Sequence, residues 1–104
     1  MPLIRALFFV TAVLIAAPLG GAARADDIGP EAAKRLLKEG RIKPLTEILT
    51  AVNAKVPGEL LEVELEIEDG IYVYEFKLLR PDGRVQEVEA DASTARILKV
   101  EDDD

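Results

Sequence analysis

The chain of 104 residues has no cysteine, no histidine, no tryptophan and a single serine. Without Cys or His there is no thiol nucleophile, no Ser–His pair, no zinc site of the usual nitrogen and sulfur kind, and no disulfide. Positive charge is short as well. Thirteen Lys and Arg stand against 20 Asp and Glu, a net of −7, and no basic cluster interrupts the excess. Phosphates repel such a chain, so nucleic acid is not its partner. What is present in quantity is apolar residues, 49% of the chain, and carboxylates.

The apolar residues are concentrated at the start. Residues 1–25 hold two arginines, Arg5 and Arg24, and no acid, with an uncharged stretch from Ala6 to Ala23. A short basic beginning, an apolar middle, helix breakers at Pro18, Gly20 and Gly21, and the small residues of Ala23-Arg24-Ala25 read as a secretory signal peptide cut before Asp26. A retained anchor is the alternative. Ala6 to Leu19 is 14 residues, roughly 21 Å of helix against about 30 Å of hydrocarbon, which is too short. No cysteine stands near the cut to be acylated. Removing residues 1–25 leaves 11 positive and 20 negative charges, a net of −9, so the mature chain is expected to be free of stable membrane association.

Residues 26–41 read as a helical segment. Pro30 suits a first helical position, Ala32, Ala33, Leu36 and Leu37 make an apolar stripe, and Gly40 ends it after Glu39. Pro44 opens a second helix with Leu45, Ile48, Leu49, Val52 and Val56 on one face, stopped by Pro57-Gly58. Both stripes read as core faces, and neither motif nor stripe implies a cofactor. From Leu60 the period changes to two, with Leu61, Val63, Leu65 and Ile67 alternating against Glu62, Glu64, Glu66 and Glu68. Asp69-Gly70 is a two-residue hairpin signal that pairs Ile67 with Tyr72, Leu65 with Tyr74, Val63 with Phe76 and Leu61 with Leu78, all apolar. Tyr74 is thereby a core residue. Parity sets the next loop at Pro81 to Gly83, pairing Phe76 with Val88 and Tyr74 with Ala90, and favours a Ser93-Thr94-Ala95 loop that sets Ala90 against Leu98 and Val88 against Val100. The expected architecture is α+β, one or two N-terminal helices on a four-stranded antiparallel meander, followed by an acidic tail at residues 101–104.

Ile42-Lys43-Pro44-Leu45 leading into Glu47-Ile48-Leu49, then Val63-Glu64-Leu65-Glu66, Tyr72-Val73-Tyr74-Glu75-Phe76, Asp82-Gly83-Arg84-Val85 and Asp91-Ala92-Ser93-Thr94 resemble a PepSY domain. The resemblance spans residues 42–100. It implies a helix against an antiparallel sheet, a place in an exported bacterial protein, and an inhibitory or protein-binding role, the partner being a peptidase or an envelope sensor. The family commonly has Gly where Ala95 stands.

On the outward face the derived register aligns Glu64, Glu75 and Glu89 on adjacent strands about 4.8 Å apart. Opposed like charges destabilise a sheet. A hard cation such as Ca²⁺ would compensate them, making Glu64, Glu75 and Glu89 candidate metal ligands of a cation-binding or cation-sensing protein. The row continues to Lys99, however, and the neighbouring row reads Glu62, Lys77, Glu87, so a solvated face with lysines offsetting the repulsion is the preferred reading, without a metal. A paired acid and base is disfavoured because an open sheet gives no desolvated carboxyl. Ser93, with no histidine to activate it, is a turn residue, and the chain is not expected to be an enzyme. A protein-contact surface is expected at Ile71 and Val73, at Leu79 and Val85, and at Ile97, with Arg96 to Val100 the freer sheet edge.

Overall fold

In the computed structural model, which describes residues 26–103, the Asp69-Gly70 turn has positive φ at both residues, 51° and 79°. That is the geometry whose twist matches the strands on either side. It joins β2 (Glu59–Glu68) to β3 (Ile71–Leu79) with Ile67, Leu65 and Val63 opposite Tyr72, Tyr74 and Phe76, the expected register. Nearer the start of β2 the register slips by one residue. Leu61 is the extra residue of a β-bulge, Leu60 takes the place opposite Leu78, and Leu61 is 52% exposed. Just before the bulge, Gly58 lies so close to β3 that a Cβ there would come within 2.9 Å of the Leu79 carbonyl oxygen. Of the two consecutive leucines, Leu60 turns inward.

The Pro81–Gly83 loop leads into β4 (Val85–Asp91) with Phe76 opposite Val88 and Tyr74 opposite Ala90, as parity requires. Gly83 has φ 90°. The last turn differs from the expected one. The Asp91 N–H donates to the Arg96 carbonyl and the Ala95 N–H to the Asp91 carbonyl, so the loop is one residue longer. A bulge in β5 (Ile97–Asp102) absorbs the surplus residue, placing Ile97 rather than Leu98 opposite Ala90 while Val88 still meets Val100. Ala95 accepts φ 72° at this turn. A Cβ in that region is strained by about 1 kcal/mol. Ala95→Gly is therefore expected to raise stability by about 0.5 kcal/mol or slightly more in urea denaturation, the strain relief exceeding the flexibility that glycine adds to the unfolded chain.

The sheet has five strands in the order β1-β2-β3-β4-β5, all antiparallel, instead of four. The added strand, β1 (Asp26–Asp27), pairs with Ile67 and Glu66, and the Ile28 N–H donates to the Leu65 carbonyl at 2.8 Å. Two acidic residues carry no alternation from which a strand can be read. Helices α1 (Pro30–Lys38) and α2 (Leu45–Lys55) supply the other layer. At the end of α1, Gly40 at φ 73° lets its own N–H reach the Leu37 carbonyl and the Arg41 N–H the Leu36 carbonyl, which satisfies the last free carbonyls. The core joins Leu36, Ile42, Ile48, Val52 and Val56 to Leu65, Tyr74, Phe76, Leu78, Val88, Ala90 and Ala92. The linker between the helices is tied to the sheet, Lys43 N–H donating to Ala92 O and Ala92 N–H to Tyr72 O, both at 2.8 Å. Among the described residues no helix is long and apolar enough to cross a membrane. The expected signal peptide at residues 1–25 and its cleavage point lie outside the described residues.

Candidate functional site

Beyond the bulge, alternation puts the even-numbered residues of β2 from Glu62 to Glu68 and the odd-numbered residues of β3 and β4 on the face away from the helices. There Glu64, Glu75 and Glu89 lie directly opposite one another, with Lys99 beyond them. The side chains regroup this row. Carboxylate oxygens of Asp27, Glu64 and Glu66 come within 4.8 Å of one another, and so do those of Glu75, Glu87 and Glu89. The lysines turn away from both groups. Lys77 Nζ is 3.4 Å from Asp103 and 4.0 Å from Glu62, and Lys99 Nζ is 3.4 Å from Glu101. No ion pair reaches Glu64, Glu66 or Glu75 among the described residues.

Glu66 is 6% exposed, so the expectation that this face lacks a desolvated carboxyl is corrected. Burial, then the charges of Glu75, Glu64, Asp27 and Glu68, push its carboxyl up to about 7. Burial, then Glu87, Glu89, Glu64 and Glu68, push that of Glu75 up to about 7 as well. Glu89 is raised too, by burial first and then by Glu68, with Lys99 opposing. The groups are displaced in one direction, whereas acid and base roles require two carboxyls pushed apart. The face can hold protons, or a hard cation through oxygen ligands alone. The partnership of Asp27 and the burial of Glu66 have no signal in the sequence, because the alternation treats Glu62, Glu64, Glu66 and Glu68 alike.

The candidate contact residues separate. Ile71 is 43% exposed, and Leu79 and Val85 are half-buried and paired with each other across the second hairpin. Val73 is corrected: it is 2% exposed, on the middle strand between Glu66 and Asp91, where longer neighbours flank a short side chain. Ile97 is also corrected, since the bulge turns it toward Ala90 and it packs on the core. Leu98 and Val100, assigned inward by the alternation, are 44% and 43% exposed. They lie on β5, whose outer edge is unpaired among the described residues.

Ser93 donates its N–H and its hydroxyl to Asp91 Oδ1, at 2.8 and 2.7 Å. It fastens the turn. A cavity of about 420 Å³ lies away from the carboxylate face, between the end of α2 and the start of β5, lined by Ala51, Lys55, Thr94, Ala95, Arg96 and Ile97.

A family model described as the peptidase propeptide and YPEB domain, PepSY, matches residues 42–101. No curated protein and no solved structure matches the chain.

Proposed function

The chain belongs to the PepSY family, and from that premise we propose that it is an exported, non-catalytic module that binds a peptidase or another envelope protein and modulates it. PepSY domains are generally non-catalytic and of propeptide or inhibitor type, and they typically occur in exported proteins. The observation that carries the reading on this chain is the open edge of β5. A strand that is terminal in the sheet among the described residues, with exposed Leu98 and Val100, is a template onto which an extended segment of another protein adds. Export by a leader ending at Ala25 is compatible with the fold, because Asp26 and Asp27, which pair with Ile67 and Glu66, both lie after that cut.

A photo-crosslinking residue at position 98 of the exported chain, with one at position 34 on α1 as control, tests this. The expected product is an adduct from position 98 containing a peptidase or a single envelope protein, whose activity changes when the purified chain is added. Absence of any adduct from position 98 overturns the reading. A second reading, binding of a hard cation, is favoured by the two groups of three carboxylates, in which Glu64, Glu66 and Glu75 meet no ion pair among the described residues.

A further inference from the structure

The chain is strongly acidic, yet two cations line this cavity with no carboxylate at ion-pair distance among the described residues. Lys55, at the end of α2, and Arg96, at the start of β5, are both exposed and make no ion pair among the described residues. Toward the other end of β5 the acids form exposed ion pairs, which leave their carboxylates open to a further cation. Glu101 meets Lys99 at 3.4 Å, Asp102 meets Arg84, and Asp103 meets Lys77 at 3.4 Å. The positive charge at the cavity calls for a carboxylate.

We propose that this cavity seats the C-terminal carboxylate of a partner's extended tail, which adds to β5 as a sixth strand. The inference rests on the protein-binding reading above and names its surface. The sheet is antiparallel throughout, so an added strand runs opposite to β5 and its C-terminal end arrives beside Ile97, over Lys55 and Arg96. A carboxylate there is held by charge-assisted hydrogen bonds. The strand must stop at that point because the Asp91–Arg96 turn ends the sheet, which suits a chain terminus. Upstream, tail residues meet Leu98 and Val100 and then the acidic Glu101 and Asp102, so the tail carries apolar residues next to its end and a basic residue about five positions before it. Six residues of β5 span about 20 Å, enough for a tail of that length.

The test uses three pools of fluorescent hexapeptides with Lys first and mixtures of Val, Ile and Thr in the middle. The first pool ends in a free carboxylate, the second in an amide, and the third in a glutamate whose own C-terminus is amidated. Fluorescence anisotropy at low salt is expected to show the first pool binding about tenfold tighter than the other two. Lys55→Ala and Arg96→Ala should each erase that preference while leaving the melting temperature unchanged, and Lys34→Ala should leave the preference intact. Equal binding of free acid and amide, equal binding of free acid and glutamate amide, or equal loss in Lys34→Ala overturns the inference. So does sedimentation as a dimer that Arg96→Ala dissolves. Envelope adducts from position 98 alongside any of these results would leave the binding module standing and remove only its carboxylate seat.

Discussion

Phe76→Ala is expected to cost about 3 to 5 kcal/mol and to leave the domain largely unfolded under mild denaturing conditions. Phe76 is fully buried at the centre of β3, opposite Val63 and Val88, with its ring 5.9 Å from that of Tyr74. Truncation removes the ring and leaves a void that the two neighbouring strands, held in register by their ladders, cannot close. A domain this small sits near the lower end of the usual 5 to 15 kcal/mol, and the chain has no cysteine with which to staple itself. Urea denaturation should show the midpoint falling by half or more, with Phe76→Leu losing less than about 1.5 kcal/mol and the exposed Ile71→Ala within about 0.5 kcal/mol of the parent. A loss below about 1 kcal/mol for Phe76→Ala would mean that the helices do not cover this face of the sheet.

That face was legible because two independent signals agree on it. Turn chemistry at Asp69-Gly70 and Pro81–Gly83 fixes the pairing, and the pairing brings apolar residues together without adjustment. Legibility ends where neighbouring residues are chemically equivalent. Leu60 and Leu61 satisfy the core equally, and the bulge that turns Leu60 inward beside the close approach of Gly58 to Leu79 has no signal in the alternation. Ile97 and Leu98 pose the same ambiguity, resolved by a loop one residue longer than parity favours. The outward row of Glu64, Glu75 and Glu89 could be derived from register alone. Its regrouping into two clusters could not, because it depends on Asp27 arriving from a strand of two residues and on side-chain directions that alternation does not encode. The cavity at Lys55 and Arg96 was beyond reach for another reason: it exists only once a helix end and a turn 40 residues apart in the chain have been packed together.

Stability of the domain is expected to peak near pH 5 and to fall by about 2 kcal/mol between pH 5 and pH 7.5. The sign follows from Glu66 and Glu75. Both carboxyls are raised from an ordinary 4.5 to about 7, so between those values the folded state holds more protons than the unfolded one. Stability then decreases as pH rises through that interval and levels off above it. The magnitude is well below what full burial of both would give, because Glu75 remains half-buried and water screens its neighbours. Every group that burial aside acts on Glu66, namely Asp27 from β1, Glu64 and Glu68 from β2, and Glu75 from β3, is acidic, and those acting on Glu75 are likewise acidic. On the acid side the trend reverses. Burial works to raise Asp91, but the hydrogen bonds from Ser93 and Thr94 and the charge of Arg96 together outweigh it and hold the carboxyl below its ordinary value, so its contribution is lost as pH drops through the folded value. Glu75→Gln should flatten the fall between pH 5 and 7.5 and gain about 1 kcal/mol at pH 8, since it removes one charge from the crowded face. Melts of both proteins in chelator and in millimolar Ca²⁺ complete the measurement. In chelator the native protein is expected to follow the profile above, with no further rise in Ca²⁺ at pH 8. A calcium-dependent rise confined to the native protein and absent from Glu75→Gln would instead assign the compensation of these carboxylates to a bound cation rather than to protons.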